Sequence, residues 1–138
     1  MKILVSACLL GENCRYKGDN CKNEKVLALK EKNELVAVCP EVLGGLTTPR
    51  APAERVNDKV LANNGKDVTE NYKKGAEAAL RIAEENKVDY CIFKSKSPSC
   101  GCGVIYDGSF TGRTVEGNGV TTDLFIKNGF KVLDENSI

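Results

Sequence analysis

Short apolar runs that favour β-structure recur along the chain at residues 3–5, 35–38, 88–93 and 130–133. The runs at 3–5 and 35–38 contain no polar residue, which is typical of strands buried on both faces of a parallel sheet. The run at 88–93 is interpreted as a third buried strand and the run at 130–133 as a closing strand. The pattern therefore predicts four strands.

Helical patterns separate these runs. Asp67 and Glu70 resemble a capping box at the start of a helix. The apolar residues of this helix follow at helical spacing, at Tyr72, Ala76, Ala79, Leu80 and Ala83. Shorter helices are predicted at 23–32 and at 120–128, and the second ends at Gly129, whose lack of a side chain suits a helix terminus.

The alternation of strands and helices predicts an α/β fold with right-handed crossovers. We expect a Rossmann-like, three-layer sandwich around a mainly parallel sheet, with residues 1–138 forming a single domain. Two stretches outside these elements lack periodicity. Residues 44–54 contain two Gly and two Pro and predict a shaped loop that is a candidate pocket wall. Asp107-Gly108 predicts a tight turn or a small hairpin.

Composition and charge exclude several classes of function. Of the 138 residues, 41% are hydrophobic and 28% are charged, which is ordinary for a globular protein. The net charge of +1, with both signs interspersed, provides no broad cationic surface for duplex nucleic acid. The chain enters its first strand directly after Met1, without the features of a signal peptide, so we expect a cytoplasmic protein with no membrane partner.

Seven cysteines and the absence of histidine are the most informative part of the composition. Structural disulfides are rare in a reducing cytosol, so metal binding or redox chemistry is the expected reason to keep thiols. Without histidine, Cys-His catalytic pairs and His-ligated zinc enzymes are excluded. Any metal site must therefore be rich in thiolates.

Cys8, Cys39 and Cys100 each follow a predicted strand. Because the carboxyl ends of parallel strands converge at one edge, where α/β proteins bind ligands, we expect these thiols to meet there and to hold a metal-sulfur centre. Spacing leaves zinc and an iron-sulfur cluster both open, since the chain has neither Cys-x-x-Cys knuckles nor ferredoxin-like runs. Three buried cysteines with no shared role are the remaining alternative.

The other four cysteines are not assigned as ligands. Cys14 and Cys21 lie in a loop rich in Gly, Lys and Asn. Either could be a fourth ligand or a redox-active thiol, but we expect both to be inert. Cys91 lies within the third predicted strand and is expected in the core, whereas Cys102 is expected to be a spare thiol beside the site.

Three ordered motifs carry a resemblance to a known family: SACLLG at 6–11, CPE at 39–41 and SPSCG at 97–101. They are accompanied by GGL at 44–46, PR at 49–50, IYDG at 105–108 and GVT at 119–121. Together these residues resemble the thiouracil desulfidase family, and the likeness covers nearly the whole chain.

The resemblance implies a 4Fe-4S cluster held by Cys8, Cys39 and Cys100, with one iron that has no protein ligand. Such an open iron suits a soft thiocarbonyl sulfur and acts as a Lewis acid. The implied activity is a non-redox desulfuration of thiolated pyrimidines or nucleosides, in which oxygen from water replaces sulfur and sulfide is released. In protein purified in air, zinc could occupy the same site.

The resemblance also implies roles for further residues. Glu41, beside the second ligand, is implied to move protons during the addition of water, and Ser97 to relay a proton or to orient the substrate. Arg50 is a weaker candidate, because its paired donors suit a pyrimidine oxygen or a phosphate but arginines in loops are more often solvated. Lys17 stands where the family commonly has Asp before Gly, so the substrate scope need not match that of the family.

Two other functions fit the same residues. One is a metal- or cluster-stabilised module that binds a nucleotide or a partner without catalysis, and the other is a redox sensor built on Cys100 and Cys102. Replacement of Glu41 or Ser97 distinguishes the enzyme from the binding module, because only the enzyme should lose turnover while it keeps its cluster.

Overall fold

The computed structural model describes all residues from 1 to 138 and contains eight strands and four helices. The strands are Lys2–Ser6 (β1), Glu34–Val38 (β2), Ala53–Val56 (β3), Lys59–Ala62 (β4), Tyr90–Phe93 (β5), Val104–Tyr106 (β6), Thr114–Glu116 (β7) and Val132–Asp134 (β8). The helices are Glu24–Ala28 (α1), Pro40–Leu43 (α2), Thr69–Asn86 (α3) and Val120–Lys127 (α4). Two 3₁₀ turns, Ala7–Leu10 and Leu29–Glu31, follow β1 and α1.

Four of the strands form a parallel sheet in the order β2-β1-β5-β8. β1 and β5 are its inner strands, and Val5 of β1 pairs with Ala37 of β2 on one side and with Ile92 of β5 on the other. These are the four strands that the apolar runs predict. The predicted α/β fold with a mainly parallel sheet is confirmed.

Helices cover both faces of this sheet. Because side chains alternate along each strand, successive residues pack against opposite helical layers. Leu4 points to the face covered by α3 and α4, where it packs in one cluster with Ala79 and Phe125. Ile3 and Val5 point to the opposite face and pack with Val26 of α1. The result is the predicted sandwich of three layers. No helix of the protein is long and apolar enough to cross a membrane.

One prediction of local structure was wrong. The capping box at the start of α3 does not form: the helix begins after Val68 without a side-chain cap, and Asp67 instead accepts a hydrogen bond of 2.9 Å from the backbone N–H of Thr69. The small hairpin predicted around Asp107-Gly108 is confirmed, because β6 and β7 pair antiparallel; seven residues, 107–113, join the two strands. A second hairpin, made of β3 and β4, was not predicted at all.

The carboxyl ends of β5 and β8 are joined by one carboxylate, that of Glu135. It accepts hydrogen bonds from the backbone N–H of Ser95 at 2.8 Å and from the Ser95 hydroxyl at 2.9 Å. Lys94 Nζ lies 3.3 Å from the same carboxylate. Burial alone would raise the pKa of Glu135, but the hydrogen bonds and Lys94 outweigh it, so this pKa lies below its usual value of 4.5.

A carboxylate whose pKa is lowered by folding stabilises the folded state at pH values above the pKa that it has in the unfolded chain. This contribution is lost as the pH falls through the pKa of the folded state. We therefore expect Glu135→Gln to lower the free energy of unfolding by about 1 kcal/mol at pH 7, and the difference from the parent to shrink below about pH 4. Urea unfolding at both pH values measures this, with the exposed Glu77→Gln as the control. A difference that is the same at both pH values would contradict the assignment.

Candidate active site

A cavity of about 480 Å³ opens at the carboxyl edge of β1, β2 and β5. All six residues that the sequence singles out as site candidates line this one cavity: Cys8, Cys39, Glu41, Arg50, Ser97 and Cys100. Three of these residues are cysteines from three separate parts of the chain. The parallel sheet therefore brings the predicted residues together, as their positions after the strands require.

Cys8 lies in the 3₁₀ turn that follows β1 directly. The turn ends at Gly11, whose φ of 95° is in the left-handed region that glycine adopts without strain. The Cys8 carbonyl accepts a 3.0 Å hydrogen bond from the backbone N–H of Cys21, which fixes the following loop to the turn. The Cys8 side chain itself is buried.

Cys39 lies between the end of β2 and α2, which begins with Pro40. Proline is suited to the first position of a helix, because its φ is preset and its missing N–H is not needed there. The Cys39 thiol donates to the backbone carbonyl of Cys14 at 3.8 Å. A hydrogen bond with the Cys14 thiol and burial both raise the pKa of Cys39.

Cys100 is held by a tightly bonded loop. The Ser97 hydroxyl accepts hydrogen bonds from the backbone N–H groups of Ser99, at 3.1 Å, and of Cys100, at 3.0 Å. The Thr122 hydroxyl of α4 donates to the Cys100 carbonyl at 2.9 Å. A Cβ at Gly119 would lie 2.3 Å from the Ser99 carbonyl, so only glycine allows α4 to approach this closely. Burial raises the pKa of the Cys100 thiol to about 12.

Cys14 is a fourth thiol on the cavity wall, although we expected it to be inert from the sequence. The neighbouring thiols of Cys39 and Cys8 act on it in opposite directions, and together with burial their net effect is to raise the pKa of Cys14 to about 11. Cys21 and Cys102 do not line the cavity, and Cys91 is fully buried in the core, as predicted. Cys14 lies in the irregular segment between the first 3₁₀ turn and α1, and no periodicity signals its position on the cavity wall.

Glu41 is held by two side chains that come from different elements. Its Oε1 accepts a short hydrogen bond from the hydroxyl of Tyr72 on α3, and it lies 3.6 Å from Nε of Arg50. Burial, followed by the charge of Glu41, raises the pKa of Tyr72 above its usual value, so the phenol stays protonated and remains a donor. The sequence pattern identified Tyr72 only as an apolar helix position and missed this contact.

Arg50 uses most of its donors within the protein. Its Nη2 donates to the Cys14 carbonyl at 2.9 Å, and its Nη1 donates to the Thr47 carbonyl and the Thr48 hydroxyl at 3.2 and 3.0 Å. Only 8% of the side chain is exposed, and Nε is buried without a hydrogen-bond acceptor. Arg50 thus fixes the Cys14 loop beside Glu41, and the expected contact with a substrate stays a prediction.

Two glycines allow Tyr72 to reach Glu41. A Cβ at Gly75 of α3 would lie 1.8 Å from the carbonyl oxygen of Pro40, and a Cβ at Gly44 would lie 2.0 Å from that of Asn71. Real Cβ atoms do not approach so closely, so α2 and α3 are in backbone contact at this point. The position of Glu41 therefore depends on α3 as well as on α2.

The sequence model of the 2-thiouracil desulfurase family matches residues 3–137. The chain belongs to this family. An uncharacterized Bacillus subtilis (strain 168) relative, YbbK, is 42% identical over 146 residues, which cover 99% of this chain and 97% of that protein. The solved structure of TudS, a 4Fe-4S-dependent thiouracil desulfidase, matches with a TM-score of 0.94 and 42% identity over 99% of this chain and 92% of its own.

Family membership and the shared fold agree with the resemblance that the motifs predicted. The family model extends over all three cysteine-bearing motifs and over the segments that carry Glu41 and Arg50. In this protein, the three cysteines, Glu41 and Arg50 all line one cavity.

The backbone contact of α2 with α3 can be tested by Gly75→Ala. The added Cβ would overlap the Pro40 carbonyl, so we expect α2 to be displaced and the free energy of unfolding to fall by about 2 kcal/mol or more. Lys74→Ala, at an exposed position of the same helix, should change it by less than about 0.5 kcal/mol. Equal stabilities of the two variants, measured by thermal unfolding, would refute the contact.

Proposed function

We propose that this protein is a 4Fe-4S-dependent desulfidase that replaces the thiocarbonyl sulfur of thiouracil-like pyrimidines with oxygen. The observation that carries the proposal is the cavity that three thiols line together with a partly buried carboxylate, which Tyr72 and Arg50 hold in place. The TudS structure, which covers nearly the whole chain, is that of a 4Fe-4S-dependent thiouracil desulfidase and supports the same activity here. In the net reaction, a thione and water give a carbonyl compound and hydrogen sulfide, with no change in oxidation state.

Cys8, Cys39 and Cys100 are the residues that would hold the cluster. Their donor set fits it, because iron-sulfur clusters take thiolate ligands and all three thiols line one cavity. No group of three or more Cys, Asp or Glu side chains converges on a point where a single metal ion could bind. Ligands that are spread over the wall of a cavity are compatible with a cluster, in which separate irons take separate thiolates.

The raised pKa values of Cys39 and Cys100 describe the thiols without a bound cation. A bound cation reverses that preference, because it stabilises the thiolate directly and binding releases the thiol protons. Three thiolates would leave one iron of such a cluster without a protein ligand. When bound, the cluster would supply at that iron a soft Lewis acid for a thiocarbonyl sulfur.

Glu41 is the group that we assign to proton transfer. Its Oε1 is occupied by the Tyr72 hydroxyl and lies beside Arg50, which leaves Oε2 as the oxygen that can accept a proton from water in the cavity. The permanent donor at Oε1 also fixes the direction in which the carboxylate points. Tyr72 and Arg50 are therefore positioning residues for Glu41.

Ser97 stabilises the Cys100 loop by hydrogen bonds and also lines the cavity. Its oxygen accepts the two backbone N–H groups that shape the Cys100 loop, which leaves the hydroxyl proton as its remaining donor. We propose that this proton is donated to the substrate or to the departing sulfur. The structural role in the Cys100 loop and the catalytic role are compatible, because they use different parts of the hydroxyl.

Anaerobic reconstitution followed by a sulfide assay tests the proposed activity. We expect sulfide and uracil in equal amounts from 2-thiouracil, and a loss of turnover of about a hundredfold or more in Glu41→Gln and in Ser97→Ala, with the iron content kept. Protein that contains its cluster but releases no sulfide from any thiopyrimidine or thionucleoside would contradict the proposal. Full turnover in both variants would contradict the roles of these two residues.

The ligand assignment is tested separately by the iron content of Cys→Ser variants. Replacement of Cys8, Cys39 or Cys100 should strongly reduce the iron and acid-labile sulfide retained after anaerobic gel filtration, from about four irons per chain in the parent. Cys102→Ser is the matched control, because Cys102 does not line the cavity and should be replaceable without loss of iron. Undiminished iron in all three ligand variants would refute the assignment.

A further inference from the structure

The connection between β6 and β7, residues 107–113, forms part of the cavity wall together with the end of β6. Tyr106, Phe110 and Gly112 all line the cavity that holds the thiols and Glu41. None of these three residues has a role in the proposed proton transfer or in cluster binding. The loop belongs to no core cluster, so its place on the wall is not explained by packing of the sheet.

Phe110 has an unusual backbone conformation for its residue type. Its φ is 57°, in the left-handed region, where a bulky side chain is disfavoured and glycine or asparagine is the usual residue. The residue is 39% exposed, so burial of its ring in the core cannot compensate for the strain. A strained, exposed phenylalanine on the wall of a cavity indicates a function for the ring rather than a contribution to stability.

Glu54 of β3 fixes Phe110 in this conformation. One oxygen of the Glu54 carboxylate, Oε1, accepts hydrogen bonds from the backbone N–H of Gly108, at 2.9 Å, and of Phe110, at 3.1 Å. Gly108 packs so closely on β3 that a Cβ there would lie 2.1 Å from a methyl carbon of Val56. The loop is therefore docked on the β3–β4 hairpin, and Phe110 is held at the cavity rather than displayed on a free loop.

We propose that Phe110 is a substrate-binding residue whose ring stacks on the planar heterocycle of the thiopyrimidine. The inference rests on the proposed function and deepens it, because it names the feature of the substrate that this wall recognises. Stacking on an aromatic face needs a flat π-system but no particular ring substituent. The site should therefore accept aromatic heterocyclic thiones in general and should bind acyclic thioamides weakly.

Phe110→Gly separates a binding role from a structural one. Glycine adopts the observed φ without strain, so the variant should unfold at the same temperature as the parent or at a higher one. Without the ring, the KM for 2-thiouracil should rise about tenfold while kcat changes by less than about twofold. Phe110→Tyr, which retains an aromatic ring, should have the same KM for 2-thiouracil as the parent. Val115→Ala, at an exposed position of the same hairpin outside the cavity, should leave KM and kcat unchanged.

Binding without turnover gives a second readout. In reconstituted Glu41→Gln protein, equilibrium dialysis with 2-thiouracil should show a Kd about tenfold higher when Phe110→Gly is added, whereas the Kd for thioacetamide should not change. Unchanged KM and Kd for 2-thiouracil in Phe110→Gly, or a large fall in its unfolding temperature, would overturn the stacking role. Failure of the unsubstituted protein to release sulfide would overturn the proposed function and, with it, the role of Phe110.

Discussion

β1 pairs in parallel with β2 on one side and with β5 on the other, and the site depends on this pairing. Parallel strands end at the same edge, so the residues that follow them converge there whatever their separation in sequence. The hydroxyl of Ser6, at the end of β1, accepts a 2.9 Å hydrogen bond from the backbone N–H of Lys94, just after β5, and ties these two ends together. Cys8, Cys39 and Cys100 lie in the segments of chain that leave the sheet at this edge.

The second requirement of the site is a carboxylate that stays in place next to thiols. Glu41 lies on α2, a helix of four residues that cannot be stable alone. Its stability comes from contact with the 18-residue α3 through Gly44 and Gly75, and from the bond between Glu41 and Tyr72. Arg50 neutralises the partly buried carboxylate and binds the Cys14 loop at the same time. A charge in this position needs such partners, because an unpaired buried charge is costly.

The sequence predicted the parts of the fold that periodicity and strand ends control. The four sheet strands, α3, the ending of α4 before Gly129 and the placement of the three cysteines on one cavity all follow from local patterns. The β3–β4 hairpin does not, because its four-residue strands lie partly exposed beside a loop rich in Gly and Pro. Contacts between distant segments, such as Tyr72 with Glu41, Arg50 with Cys14 and Glu54 with Phe110, have no local signature either.

We propose that three thiolates hold a cluster and leave one iron for the substrate. The Mössbauer spectrum of protein reconstituted with iron-57, recorded with and without 2-thiouracil, tests this arrangement of the irons. We predict that one iron of the cluster is distinct and changes its parameters when 2-thiouracil is added, while the others keep theirs. A spectrum in which 2-thiouracil changes no iron, or changes all of them alike, would contradict the claim.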